Sequence, residues 1–77
     1  MNNGKQRYYY DKWQIGNKIR IARETKGMSQ EELAYGIGLA DQRSIYYYET
    51  GDKLPKLERI IEICNILDIS IDGLLSN

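Results

Sequence analysis

The chain has 77 residues, with 11 basic and 11 acidic side chains, one cysteine and no histidine. A chain of this length holds one small domain whose core is only just large enough to fold. The single cysteine excludes an intrachain disulfide, and without histidine both a zinc site and general acid–base catalysis lose their commonest group, so we expect no enzyme, no metal and no other cofactor.

The zero net charge hides an asymmetry along the chain. Residues 1–27 carry seven Lys/Arg against two Asp/Glu, whereas residues 28–77 carry four against nine. A polyanion partner is therefore not excluded, because the placement of the cations in the fold decides it. No uncharged stretch approaches the roughly 20 residues of a bilayer-spanning helix, and no apolar run follows the basic start. We expect a cytoplasmic protein that does not enter a membrane.

Residues 1–12 show no helical or alternating pattern, which predicts a flexible N-terminal arm before a domain at 13–77. From about Trp13, apolar residues recur at helical spacing (Ile15, Ile19 and Ala22), and Gly27 follows as a stop signal. Helix 1 is therefore predicted to end near Lys26.

Helix 2 opens with a strong local signal. Ser29 is an N-cap residue, and Glu32 three positions later completes a capping box. Two glycines weaken the helix after Tyr35, so it is predicted to end near Ile37. Similar start signals at Asp41 and Ser70 predict the beginnings of helices 3 and 5.

Residues 50–55 contain Gly51 and Pro55 and are predicted to form a loop. Helix 4 follows with one apolar stripe, and helix 5 covers 71–75; no segment alternates as a strand, so the fold is predicted to be all-α with five short helices. The stripe consists of Leu57, Ile60, Ile61, Cys64 and Leu67. Further apolar residues on helices 4 and 5 exceed what a lone small domain needs and suggest a homodimer: Ile63, Ile66, Ile71 and Leu75.

Helix 3 is predicted to have two distinct faces. Ile45, Tyr48 and Glu49 share the inward one, and the outward one presents polar and aromatic side chains. These are Gln42, Arg43, Tyr46 and Tyr47. Glutamine can bond to adenine, arginine to guanine, and tyrosine can meet thymine methyl groups or phosphates. Helices 2 and 3 thus have the outline of a helix-turn-helix that reads the DNA major groove, although each outward residue alone also fits an ordinary solvated surface.

The sequence resembles the phage-repressor-like helix-turn-helix regulators, the Cro/C1 or XRE family. The resemblance rests on Ser-Gln-Glu-Glu-Leu-Ala at 29–34, Ile45, and Glu-Thr-Gly followed by proline at 49–55. It implies a lambda-repressor-like DNA-binding domain acting as a transcriptional regulator, and we expect a repressor, on double-stranded operator DNA.

The resemblance also implies individual roles. Gln30, with the capping Ser29, matches the phosphate-contacting start of helix 2, and Lys53 and Lys56 match loop positions near the DNA backbone. The base-reading positions are Gln42, Arg43, Tyr46 and Tyr47. Arg23 and Glu49 match a structural ion pair that orients helix 3.

Some features leave alternatives open. The turn before helix 3 has one residue more than the family pattern, so the register of that helix could differ by one. Asp41 and Asp52 place carboxylates on the side that is expected to face the DNA, which weakens the attraction of the protein for phosphate. Together with the neutral net charge, they favour a rival role as a protein-protein interaction module or antitoxin-like adaptor with a partner protein.

Overall fold

The structure is a computed structural model that describes residues 10–76. The chain forms α1 (Lys12–Thr25), α2 (Gln30–Gly36), α3 (Arg43–Glu49), α4 (Leu57–Leu67) and α5 (Ile71–Leu75). Strands are absent from this part of the chain, and the predicted all-α fold with five short helices is confirmed. The predicted arm falls largely on residues 1–9, outside the described range, and α1 begins one residue earlier than predicted.

Side-chain caps explain where several helices begin. Asp11 accepts a hydrogen bond from the Trp13 backbone N–H at 2.9 Å, which fixes the start of α1. Ser29 Oγ accepts from the Glu32 N–H at 2.9 Å, while the Ser29 N–H donates to Glu32 Oε1 at 2.8 Å, so the capping box of α2 is complete. Ser70 Oγ accepts from the Gly73 N–H at 2.8 Å at the start of α5. These bonds satisfy backbone donors that a helix start otherwise leaves unpaired.

The core is built from one face of every helix. Ile19, Leu33, Ile45 and Ile63 are fully enclosed and come from α1, α2, α3 and α4, and Leu74 of α5 closes the cluster at 1% exposure. Because the recognition-type helix α3 contributes Ile45 to this core, its position relative to the other helices is set by apolar packing.

The packing of α4 differs from the predicted stripe. Its buried residues are Ile60, Ile63, Cys64 and Leu67, whereas Leu57 is 62% and Ile61 39% exposed. The buried arc is therefore rotated toward Ile63. Because Ile63 is fully enclosed within the monomer, it has no surface left for the predicted contact with a second copy, and that part of the dimer argument was wrong.

Two glycines allow close approach between helices α1 and α3. A Cβ at Gly16 of α1 would overlap the backbone carbonyl oxygen of Tyr48, so the two helices cross with no room for a side chain. Gly51, directly after α3, has φ +78°, and a Cβ there would lie 3.1 Å from the Trp13 ring. The end of α3 is thus held against the start of α1.

Candidate nucleic-acid interface

Helix α3 begins at Arg43 with Gln42 as its N-cap residue and without a side-chain cap bond, so the prediction that the start signal at Asp41 caps this helix was wrong by one residue. Asp41 lies in the turn just before the cap. Its Oδ1 accepts a hydrogen bond from the Arg43 backbone N–H at 2.9 Å, and the first main-chain bond of the helix runs from the Tyr46 N–H to the Gln42 carbonyl. The longer turn at 39–41 is accommodated before the helix, because Ile45 is fully buried. The register of α3 is therefore the one used for the predicted faces.

The outer face of α3 presents a mixed polar and aromatic surface. Gln42 and Arg43 are exposed, and Tyr46 is 51% exposed. Tyr47 is half-buried, because its ring meets that of Tyr46 edge-on with centroids 5.8 Å apart and carries the Lys53 ammonium 5.0 Å above its own centroid. Three of the four candidate base-contacting residues thus project into solvent, and the fourth, Tyr47, packs against Tyr46.

Arg43 and Asp41 form an exposed ion pair beside this face. Arg43 Nη2 lies 3.0 Å from Asp41 Oδ2, and the exposed fractions of the two side chains are 79% and 53%. The backbone N–H of Arg43, followed by its guanidinium, lowers the pKa of Asp41 below its ordinary value. The hydrogen bond to Asp41 in turn raises the pKa of Arg43.

A buried network joins α1, α2 and α3 behind the exposed face. Arg23 Nε and Nη2 donate to the two carboxylate oxygens of Glu49 at 2.6 and 3.0 Å, and Arg23 Nη1 donates to the Met28 carbonyl at 2.7 Å. Gln30 Nε2 donates to Glu49 Oε1 at 3.0 Å. The hydrogen bond to Glu49 raises the pKa of Arg23. The two residues expected as an ion pair lie together, and Gln30 is tied to them.

The four candidate phosphate-contacting residues lie around α3. Ser29 and Gln30 stand at the start of α2, where the Ser29 hydroxyl oxygen already accepts within the capping box and the Gln30 amide is engaged by Glu49. Lys53 and Lys56 are exposed in the loop that joins α3 to α4. The lysine ammonium groups are therefore at the surface and can reach a phosphate. Gln30 can donate to a phosphate only through its backbone N–H or the part of its amide that does not bond to Glu49.

Most cations of α1 are occupied elsewhere. Lys18 Nζ donates to the Gly73 carbonyl at 3.0 Å and also to that of Ser76, at the end of α5. Arg20 pairs with Glu24 at 3.2 Å, and Arg23 is buried with Glu49. Among the described cations of α1, these three therefore do not contribute to a basic patch beside α3.

Trp13 belongs to the surface of α3, although sequence reasoning used it only to mark the start of helix 1. Its ring is 71% exposed and lines a shallow groove with Tyr46, Tyr47 and Thr50. The available signal was its position outside the apolar spacing of Ile15 and Ile19. That spacing indicates only that the indole lies outside the core. Which α3 residues lie next to it depends on how α1 and α3 cross.

The remaining titratable candidate is a structural residue. Cys64 is 4% exposed within the core, and burial raises the pKa of its thiol. Among residues 10–76, no group of three His, Cys, Asp or Glu side chains is arranged to hold a metal ion, and no helix is long and apolar enough to cross a membrane.

Known proteins share this sequence pattern. The profile of the helix-turn-helix family matches residues 19–74. The transcriptional repressor RstR of a cryptic CTXphi phage of Vibrio cholerae is 33% identical over 63 residues, which cover 82% of this chain and 56% of that protein. YonR, a prophage-derived HTH-type transcriptional regulator of Bacillus subtilis, is 34% identical over 61 residues, 79% of this chain and 56% of its own length. The chain thus spans a little more than half the length of these relatives.

Solved structures share the fold. The restriction-modification controller protein C.AhdI of Aeromonas hydrophila superposes with a TM-score of 0.77 at 35% identity, covering 86% of this chain and 98% of its own. The clp gene regulator ClgR of Corynebacterium glutamicum has a TM-score of 0.79 at 23% identity, over 90% of this chain and 72% of its own, and shows the fold alone. The chain therefore belongs to the helix-turn-helix family of the phage-repressor type, a family of DNA-binding transcription regulators and not of enzymes.

Proposed function

We propose that this protein binds double-stranded operator DNA with α3 in the major groove and represses transcription. The observation that carries the proposal is the exposed outer face of α3, whose inner face is anchored by Ile45 and Glu49. A rigidly held helix with polar side chains on its free side is suited to reading base edges. The similarity to a phage repressor supports repression over activation. Such a role places the protein in the cytoplasm, with the chromosome.

The base contacts are assigned by side-chain chemistry. Gln42 offers a donor and an acceptor that match adenine, and Arg43 offers paired donors that match guanine. Tyr46 and Tyr47 supply aromatic surface for thymine methyl groups or hydroxyls for phosphate. Arg43 carries the largest share of the specificity in this proposal, because the paired contact of arginine with guanine is the commonest specific base contact.

Phosphate contacts flank the recognition helix on both sides. Ser29 and Gln30 approach the backbone from the start of α2, and Lys53 and Lys56 approach it from the loop after α3. Contacts on both sides of α3 fix its register in the groove without reading sequence.

Replacement of Arg43 tests the DNA-binding proposal. We expect Arg43→Ala to weaken binding to the preferred duplex by roughly tenfold or more, since one paired base contact is lost. The measurement is fluorescence polarization with a labelled duplex, chosen by selection from a randomised library, at two salt concentrations. Circular dichroism checks that the helices remain.

Arg20→Ala is the matched control, because Arg20 is a partly exposed arginine of α1 that contacts only Asn17 and Glu24 among its described hydrogen bonds. It should bind the duplex like the unmodified protein. Absence of any duplex binding by the unmodified protein at low salt would contradict the proposed function.

We also propose that the protein acts as a homodimer through the start of α4. Leu54, Leu57 and Ile61 are 40%, 62% and 39% exposed and follow α3 directly in the chain. A regulator that reads two half-sites about 34 Å apart needs two recognition helices, one from each copy. Exposed apolar residues that cluster in this way are typical of an interface.

Leu57→Asp is expected to shift the protein toward monomer, because a buried interface would have to accept an unpaired carboxylate. Sedimentation equilibrium at micromolar concentration measures the change. Ile21→Asp is the control, since Ile21 of α1 is comparably exposed at 50% but lies beside α5. A dimer that is lost in Ile21→Asp and kept in Leu57→Asp would contradict the proposed interface, and a monomer in the unmodified protein would contradict the dimer itself.

A second function is favoured by one observation. Trp13 and Tyr46 together form an exposed aromatic surface on a chain of zero net charge, and such surfaces also suit a partner protein. A protein-protein interaction module or antitoxin-like adaptor is the alternative. It predicts the absence of duplex binding in the titration above.

A further inference from the structure

The carboxylate of Asp41 is held at two points by one neighbour. Oδ1 accepts from the Arg43 backbone N–H at 2.9 Å, and Oδ2 accepts from Arg43 Nη2 at 3.0 Å. Because the backbone bond is part of the first turn of α3, the carboxylate is fixed relative to the helix. The Arg43 side chain is thereby tethered to the helix that carries it.

Stability does not account for this pair. Both side chains are largely exposed, at 79% for Arg43 and 53% for Asp41, and exposed ion pairs contribute little to folding. The backbone bond alone is sufficient to hold the turn in which Asp41 precedes the N-cap residue Gln42. The bond between Oδ2 and the guanidinium is therefore better explained by a function of the Arg43 side chain at the surface than by stability.

Tethering changes how an arginine binds DNA. A free arginine loses rotamer freedom when it is fixed against a base, and it pairs equally well with any phosphate nearby. Asp41 limits that freedom before binding, and guanidinium has five N–H donors, so a single bond to Nη2 leaves several for a base. The carboxylate also repels phosphate, which disfavours binding that is independent of sequence.

We propose that Asp41 is a positioning residue that sets the base specificity of Arg43. The proposal rests on the proposed function, in which α3 reads the major groove. Asp41 restrains the guanidinium for paired bonding to a guanine and lowers the affinity for DNA of unrelated sequence. A residue that appears unfavourable for DNA binding by its charge thus increases the difference between right and wrong sites.

Asp41→Asn separates this role from the hydrogen bond that holds the turn before α3. Asparagine keeps a side-chain oxygen for the Arg43 N–H but removes the charge that restrains the guanidinium. Asp52→Asn is the matched control, because Asp52 is exposed in the loop after α3 and none of its described hydrogen bonds reaches Arg43. Each variant removes one negative charge near the proposed DNA surface.

The measurement is the ratio of affinities for two duplexes. One is the preferred duplex selected from a randomised library, and the other differs at the base pair whose preference is lost in Arg43→Ala. We expect Asp41→Asn to lower this ratio by roughly tenfold, the discrimination expected of a paired guanine contact. Asp52→Asn should leave it unchanged, and both variants should bind unrelated duplex more tightly at low salt.

One result would overturn the positioning role while leaving the proposed function intact: a ratio in Asp41→Asn equal to that of the unmodified protein. If both affinities then rise by the same factor, Asp41 acts only through its charge. A protein that binds no duplex would instead overturn the proposed function, and this inference with it.

Discussion

At the scale of single residues, the buried cluster of Arg23, Glu49 and Gln30 determines how the recognition helix is presented. Glu49 is the last residue of α3, Arg23 lies on α1 and Gln30 begins α2. All three meet within hydrogen-bond distance. The cluster therefore connects the end of α3 to the two helices that support it.

Removal of the Glu49 charge should destabilise the fold strongly. In Glu49→Gln the guanidinium of Arg23, which is 8% exposed as a residue, stays buried and keeps only the exposed Glu24 carboxylate, 3.9 Å away, as a counter-ion. Breaking a buried pair in this way costs about 3–5 kcal/mol of unfolding free energy. Urea denaturation followed by circular dichroism measures the loss.

Glu24→Gln is the control for that experiment. Glu24 also faces Arg23, at 3.9 Å, but its side chain is 55% exposed. Water screens such a pair, so the expected change is below about 1 kcal/mol. Equal losses of unfolding free energy in the two variants would show that the contribution of the Arg23–Glu49 pair to stability does not depend on its burial.

At the scale of elements, the sequence predicted helices best where a local chemical signal marks their ends. The capping box at Ser29 and the cap at Ser70 give α2 and α5 their observed starts. These signals operate within four residues and need no knowledge of the fold. The two faces of α3 could be derived from helical periodicity, which also needs no knowledge of the fold.

The packing of α4 and α1 required the assembled structure. A periodic stripe shows which residues share a face but not how much of that face the neighbouring helices cover, so Leu57 was assigned to the core and Ile63 to a contact outside it. Gly16 gave no signal either, because its role is set by Tyr48, 32 positions away in the chain. Likewise the Asp41–Arg43 pair depends on the conformation of a turn.

The crossing of α1 over α3 yields a prediction about Gly16. A methyl group in Gly16→Ala would overlap the Tyr48 carbonyl oxygen, so the two helices must separate. Overpacking of this kind costs typically 1–3 kcal/mol, which exceeds the gain of about 1 kcal/mol from the better helix propensity of alanine. Thermal unfolding should show a lower melting temperature.

Gly36→Ala provides the matched control within α2. A Cβ at Gly36 would meet the Ile66 side chain at 3.4 Å, an ordinary contact distance. The same substitution should therefore be neutral or slightly stabilising. A Gly16→Ala protein as stable as Gly36→Ala would contradict the close crossing of α1 and α3.

At the scale of the whole molecule, the fold redistributes the charge asymmetry of the sequence. Seven cations lie in residues 1–27, yet Lys18 is bound to the end of α5, Arg20 is paired with Glu24 and Arg23 is buried. Within residues 10–76, the acidic half supplies three cations on α3 or in the loop after it: Arg43, Lys53 and Lys56. Two of them, the lysines, are the proposed phosphate-contacting cations.

The salt dependence of DNA binding should reflect this small number. Each neutralised phosphate contributes about −0.9 to the slope of log affinity against log salt concentration. With Lys53 and Lys56 as the main phosphate-contacting cations, we expect a slope of roughly −2 per bound chain. Polarization titrations of the preferred duplex across a salt series measure the slope.

Single substitutions show how much each residue contributes to that slope. Lys53→Ala should reduce it by about one per chain and weaken binding to all duplexes alike, because a phosphate contact carries no sequence information. Lys18→Ala removes a cation that bonds to the Gly73 carbonyl beside α5 and should leave the slope unchanged. A larger effect from Lys18 than from Lys53 would place the DNA on the α1–α5 side of the molecule. Because the proposed function assigns base specificity to Arg43, the preferred sequence should be the same in both lysine variants even where the affinity has fallen.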